Sequence, residues 1–212
     1  MPLELQRVIR DRRHARWAKS ARDGDERALV RLYDELHAPV ASYLRLRVPA
    51  GHDAEDLVST VFHRFLSNLE RYDPQKGSVL GWVLVMARHA LIDDLRRRRD
   101  TVPVDEMADL LAGTAPDPLE GLIRTEQADR VRALVAQLPA AERELLALHY
   151  GQGLRLRDIG GLLGLGEAAV KQRLSRLRRR LREQLRNESE PAPEPAAARG
   201  EARQAVRIGR AG

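Results

Sequence analysis

The chain has 212 residues, room for one large domain or two small ones, and a hydrophobic content of 43% that excludes a wholly disordered polypeptide. Only 4% is aromatic, so the core must be built from Leu, Val, Ile and Ala, a mix that favours helices. A net charge of +6, almost all of it arginine, suits an anionic partner, and the absence of cysteine excludes disulfides and thiolate zinc sites.

Residues 1–22 are basic and weakly patterned, which predicts a frayed helix and shows no apolar signal core. From Asp25 the period becomes helical: Leu29, Leu32, Tyr33, Leu36, Val40 and Tyr43 share one face. Pro49 and Gly51 interrupt. Asp53 can then cap a second helix, with Glu55 and Asp56 facing the positive end of its dipole. Its stripe is Leu57, Val58, Val61, Phe62, Phe65, Leu66 and Leu69. The stretch RYDPQKG at 71–77 is turn chemistry, and Ser78 is a suitable cap for a third helix running to about Arg99. The longest apolar run, residues 79–87, is too short to span a bilayer, so the expectation is a soluble cytoplasmic protein without membrane insertion. One helical domain over 23–99 accounts for all of this.

Residues 100–116 lose the period and read as a linker. A second helical domain over 117–186 follows, in pieces near 118–137, 140–150, 155–163 and 167–186, punctuated by Pro139, Gly151, Gly153, Gly164 and Gly166. The segment 187–212, rich in Pro, Ala, Glu and Arg, predicts a disordered tail. The fold class is therefore all-α: two small helical domains joined by a short linker, the second a helix-turn-helix.

That motif lies in RLRDIGGLLGLGEAAVKQRLSRLRRRL, Arg155 to Leu181. Two crossing helices need a small residue where they meet and a left-handed residue at the turn, which Gly160 and Gly164 can supply. Ile159, Leu163, Leu165 and Val170 can form the shared core. The apolar stripe of the second helix continues through Leu174, Leu177, Leu181 and Leu185. From Gly166 to Arg186 there are eight basic and two acidic residues, a net +6 on one helix. Lys171, Gln172, Arg173, Ser175, Arg176 and Arg179 carry the hydrogen-bonding groups that read base edges and phosphates in a major groove. A solvated basic face is the plain alternative for such a run. The paired glycines at motif spacing favour DNA binding.

In the block from Arg71 to Asp100, Arg88 and Arg96 to Arg99 accompany Trp82, which could stack on an unpaired base or simply pack between helices. The ordered set of GDERALVRLYDEL, GHDAEDLVSTVFHRFL, the DPQKGS…W…AR block, LPAAERELLALHYGQGL and the helix-turn-helix resembles the extracytoplasmic-function sigma factors over residues 23–185. That resemblance implies an alternative sigma factor that binds core RNA polymerase, recognises −35 and −10 promoter elements and helps melt DNA. Asp53, Glu55, Asp56, Leu57, Val61 and Phe62 would dock on the clamp helices of the β′ subunit, and the second domain would meet the β flap. Tyr72, Asp73, Gln75, Lys76 and Trp82 would capture a flipped base of the −10 element. Arg88, His89, Asp93, Arg96 and Arg97 would engage the separated strand. Glu167 and the basic residues that follow would read the −35 element, and an anti-sigma factor would be a further partner. His89 stands where family members commonly carry Asn, Ser59 replaces a frequent Gln, and Gly166 replaces the usual Ser or Thr cap.

The competing class is an enzyme. The six histidines, His14, His37, His52, His63, His89 and His149, show no H-E-x-x-H and no pair at metal-ligand spacing, and no phosphate-binding or nucleophile motif occurs. Each histidine is expected to be solvated or half-buried, with no catalytic group, no metal and no cofactor. A helix-turn-helix regulator acting without polymerase is the other alternative, against which the strand-trapping block of the first domain argues.

Overall fold

The computed structural model describes residues 3–48, 54–98 and 126–189, and Asp53, the linker, the expected start of the second domain at 117–125 and everything past Ser189 lie outside them. Among the described residues there are helices and no strands. Helix α1 (Leu3–Arg22) is continuous and docked, not frayed. It is held by polar groups buried on its inner face, Asp11 and His14, beside Ala18. Such a helix leaves no apolar stripe for a sequence to display. His14, expected to be solvated or half-buried, is 1% exposed.

Helix α2 (Glu26–Arg45) starts where Asp25 accepts the backbone N–H groups of Arg27 and Ala28 at 3.0 and 3.2 Å, satisfying two of the orphan donors of a helix end. It buries Leu32, Leu36, Val40 and Tyr43 as expected, but Tyr33 turns outward. Helix α3 (Ala54–Ser67) buries Leu57, Val58, Val61, Phe62 and Phe65. Leu66 is exposed, and Leu69 is buried from a separate 3₁₀ turn (Leu69–Arg71). Helix α4 (Val79–Arg98) is capped by Ser78, whose Oγ accepts the Gly81 N–H at 3.0 Å. No helix among the described residues is long and apolar enough to cross a membrane.

The second unit comprises α5 (Glu126–Ala136), α6 (Ala140–Leu146), a π turn (Ala147–Gly151), α7 (Leu156–Leu163) and α8 (Glu167–Ser189). The piece expected at 140–150 is thus two elements, and α8 runs past the expected end at 186. At the α7–α8 turn Gly164 adopts φ 68°, a left-handed backbone that glycine tolerates without a Cβ penalty. A Cβ on Gly160 would lie 2.6 Å from the Leu165 carbonyl oxygen, so the two helices cross there only over glycine. Ile159 and Val170 are wholly buried in the shared core, joined by Leu162. Leu163 and Leu165 are only partly buried.

The two units do not stand apart. Their apolar residues form one continuous core, with α7 packed across the start of α4.

Candidate nucleic-acid interfaces

Helix α8 separates its two faces cleanly. Val170, Leu174 and Leu177 are buried against α7 and α5, while Lys171, Gln172, Arg173, Ser175, Arg176 and Arg179 are all exposed. Glu167 opens the helix beside the positive end of its dipole, where a carboxylate is favoured. Two of the later arginines have acidic neighbours: Arg180 pairs with Glu142, and Arg179 lies 3.9 Å from Glu183. Lys171, Arg173 and Arg176 form no ion pair among the described residues. Those three residues can meet a groove without breaking an ion pair among the described residues.

The loop before α4 is ordered by its own hydrogen bonds. Asp73 accepts the Gln75 N–H at 2.9 Å, and the Tyr72 hydroxyl donates to the Gly77 carbonyl at 3.1 Å. Tyr72 is 6% exposed, and burial pushes its hydroxyl up to about 12. Tyr72 therefore shapes the loop from inside and does not reach out of it. Trp82 is half-buried, edge-on to Phe65 at 5.8 Å and tilted against Tyr72 at 5.5 Å, so it both packs and borders open space. Tyr72, Asp73, Lys76 and Trp82 line a cavity of 160 Å³, closed on its far side by Arg157, Asp158 and Gly161 of α7. Gln75 is exposed at the loop tip.

Along α4 the expected strand-binding residues divide. His89, Arg96 and Arg97 are exposed, though Arg97 lies 3.5 Å from Asp94. Asp93 is held by both Nη atoms of Arg64 at 3.2 Å, which commits it to linking α3 and α4. Arg88 turns toward the second unit, 3.9 Å from Glu144. Only Arg88 is close to Trp82 along the helix. Arg96 lies fourteen residues on, roughly 21 Å away at 1.5 Å per residue.

The residues expected to dock on the polymerase divide by burial. Leu57, Val61 and Phe62 are 5%, 0% and 5% exposed and belong to the core, so they support a surface without forming it. The face of α3 that meets solvent carries Glu55, Asp56, Ser59, Thr60 and His63, with Glu55 paired to Arg45. Beside it Val30, Tyr33 and Leu66 are 58%, 45% and 47% exposed, an apolar patch that sequence periodicity had assigned partly to the core. Tyr33 rests on Phe62 with ring centroids 4.6 Å apart, which links the patch to the core beneath.

Between the units lies a buried polar site that sequence reading missed. Arg47 donates to the Tyr43 carbonyl at 2.9 Å and to Glu144 at 3.0 Å, with its guanidinium 3.8 Å over the Tyr43 ring. Burial pushes the Glu144 carboxyl up, and Arg47 and Arg88 pull it partly back. No local motif announces a pair 97 residues apart. No group of acidic or histidine residues suited to a metal occurs among the described residues.

Comparison with known proteins supplies a family. Profiles described as Sigma-70 region 2 and Sigma-70, region 4 match residues 32–101 and 128–181. The ECF RNA polymerase sigma factor SigF of Caulobacter vibrioides is 34% identical over 138 residues, which cover 64% of this chain and 73% of SigF. The probable RNA polymerase sigma factor RfaY of Xanthomonas campestris is also 34% identical, over 129 residues or 59% of this chain, and the chain spans 32% of that relative's length. Among solved structures, the sigma factor RpoE of Bartonella quintana, in complex with the anti-sigma factor NepR, shares 18% identity at a TM-score of 0.48, over 74% of this chain and 96% of that one.

Proposed function

The chain belongs to the extracytoplasmic-function sigma factors of the sigma-70 family, and from that premise we propose how its surfaces divide the work of starting transcription. It is an alternative sigma factor, binding core RNA polymerase and promoter DNA to direct transcription. In our reading α8 is the −35 reader. Glu167, Lys171 and Gln172 enter the major groove first, while Arg173, Ser175, Arg176 and Arg179 follow it toward the phosphates. The observation that carries this assignment is the exposed basic face of α8, opposite buried Val170, Leu174 and Leu177.

The cavity beside Asp73, Lys76 and Trp82 takes an extruded base of the −10 element. Extrusion costs a few kcal/mol, and stacking of about 1–3 kcal/mol on an aromatic ring can offset it. His89, Arg96 and Arg97 track the backbone of the same strand. The solvent face of α3, with Tyr33 and Leu66 beside it, docks on the polymerase clamp helices. Boundaries at 23–99 and 117–186, a cytoplasmic location, the absence of catalysis and an anti-sigma partner complete the proposal.

Run-off transcription with purified core polymerase tests it. Core plus this chain should start at a site that core alone ignores, and Trp82→Ala should abolish initiation from closed duplex while sparing initiation on a template already melted over the −10 element. Tight binding to duplex DNA with no initiation on any template overturns the reading.

A further inference from the structure

We propose that the cleft between α1 and the π turn is a binding site for a small oligophosphate, a ligand carrying a chain of two or three phosphate groups. The cleft has a volume of 490 Å³, inside the range of roughly 300–1,000 Å³ usual for small-ligand sites. Arg7, Arg10 and Arg13 reach it from successive turns of α1, and Arg178 borders it from α8. Among the described residues Glu4 is the only carboxylate in its lining, and it sits at the exposed rim, paired with Arg7. Helix α1 lies outside both family matches, and neither DNA surface proposed above uses this cleft.

The arginines are held in place by the backbone they face. Gly153 adopts φ 61°, and a Cβ there would lie 3.4 Å from Arg10 Nη1, so glycine lets the guanidinium rest against the chain. Arg10 donates to the Gln152 and Gly153 carbonyls, both at 2.8 Å, and Arg7 donates to the Leu154 carbonyl at 3.2 Å. These bonds use Nη atoms. The Nε–H groups of Arg7, Arg10 and Arg13 are buried without a partner, and so is His149 Nδ1, which becomes a donor on protonation. Four of the seven such unmatched side-chain atoms among the described residues thus belong to the lining of one cleft. Buried donors are almost always matched, and a cluster of unmatched ones calls for an acceptor with several oxygens.

Charge favours the same ligand. The other carboxylates near α1 are engaged: Asp11 accepts from Arg155 at 2.7 Å, and Glu35 is shared by Arg13 and His14 at 2.6 and 2.7 Å. Arg178 is exposed and forms no ion pair among the described residues. A concave cleft suits a short anion whose oxygens can be approached from several sides, whereas a duplex backbone needs an open face. Tyr150 lines the same cleft and offers a ring to a base if the phosphates belong to a nucleotide. Occupancy has a consequence for α8. Lys171 and Arg178 together line the adjoining groove, so an anion there neutralises charge beside the proposed −35 face and weakens duplex binding. That consequence rests on the −35 reading; oligophosphate binding does not.

Calorimetric titration of the full chain with sodium tripolyphosphate, with ATP and with sulfate tests the site. Tripolyphosphate should bind saturably at one site per chain, and more tightly than sulfate. Arg178→Gln removes an exposed guanidinium and should weaken tripolyphosphate about tenfold, and Arg10→Gln should do at least as much. Arg31→Gln, which takes the same charge from an exposed position on α2, should leave the affinity unchanged. ATP binding no tighter than tripolyphosphate assigns recognition to the phosphate chain alone, and tighter binding of ATP puts a base on Tyr150; both keep the site. Four results overturn it: no saturable binding, sulfate binding as tightly, equal weakening by Arg31→Gln, or unchanged affinity in Arg178→Gln and Arg10→Gln chains that circular dichroism shows to be folded. Loss of duplex affinity in those two variants without any tripolyphosphate binding would make the cleft a DNA contact and overturn it too. The titration contains neither DNA nor polymerase, so it fails independently of the sigma reading, which run-off transcription tests.

Discussion

Helices α4 and α8 both carry arginine toward nucleic acid, and they keep it in opposite states. On α4, Arg88 faces Glu144, Arg97 lies beside Asp94, and Asp93 is bound by Arg64. On α8, Lys171, Arg173 and Arg176 stand exposed with no ion pair among the described residues. A phosphate meeting α8 displaces only water and counterions. A strand meeting the middle of α4 must first compete with carboxylates. The difference teaches that α8 presents Lys171, Arg173 and Arg176 without ion pairs among the described residues, whereas Arg88 is engaged at the interface between the units.

The comparison breaks most visibly at the interface between the units. Glu144 is 4% exposed and faces Arg47 at 3%. Removing one partner of a buried pair leaves an uncompensated charge in a low-dielectric site, so Glu144→Ala should cost about 3–5 kcal/mol against chemical denaturation. A loss below about 1 kcal/mol would show that water reaches the pair. Gly160→Ala comes next. Overpacking at the Leu165 carbonyl should cost about 1–3 kcal/mol and disorder the α7–α8 turn, which loss of duplex binding would report.

Replacing Arg173 and Arg176 by Ala should change stability by less than about 0.5 kcal/mol, because both are exposed and neither buries a partner. Binding should nonetheless lose salt sensitivity. Each lost phosphate contact removes about 0.9 from the slope of log affinity against log salt, so the double variant should be shallower by about 1.8. An unchanged slope would place the DNA elsewhere. Tyr33→Ala with Leu66→Ala offers the matching probe on the other unit. Stability should hold, and affinity for core polymerase should fall about tenfold if these residues anchor the contact.

How much of this was legible beforehand follows from what each segment is held by. The helix-turn-helix could be read because its signals are local: two glycines at the crossing and the turn, then a basic face opposite an apolar stripe. The periodic stripes of α2 and α3 placed most of the core and missed at Tyr33 and Leu66, which face solvent, while Leu57, Val61 and Phe62, expected at a docking surface, lie in the core beneath it. Helix α1 was hidden because polar groups dock it, and periodicity reports only apolar burial. Gly81 sits inside the apolar run 79–87, and what requires a glycine there is Asp158, seventy-seven residues later in the chain. Long-range approach leaves no mark in local spacing.

The mildest prediction concerns acid, and it sharpens what holds α1 in place. Burial lowers the His14 imidazole below its ordinary value, outweighing the hydrogen bond and charge of Glu35 that raise it. Burial lowers His149 in the same direction, against the Leu154 backbone bond that raises it. Both histidines therefore bind protons more readily when the chain unfolds. By linkage, their contribution to stability is fully present above the unfolded value near 6.5 and is lost as pH falls below it toward the folded values. Glu144 is shifted upward by burial, so its protonation offsets part of the loss at the acid end of the range. Thermal melts between pH 7.5 and 5.5 should show a falling midpoint. His14→Gln should flatten the dependence, since glutamine can still donate to Glu35 but cannot acquire charge there. A midpoint insensitive to pH over that range would mean that α1 stays docked whether or not His14 is neutral, held by its arginines and Asp11.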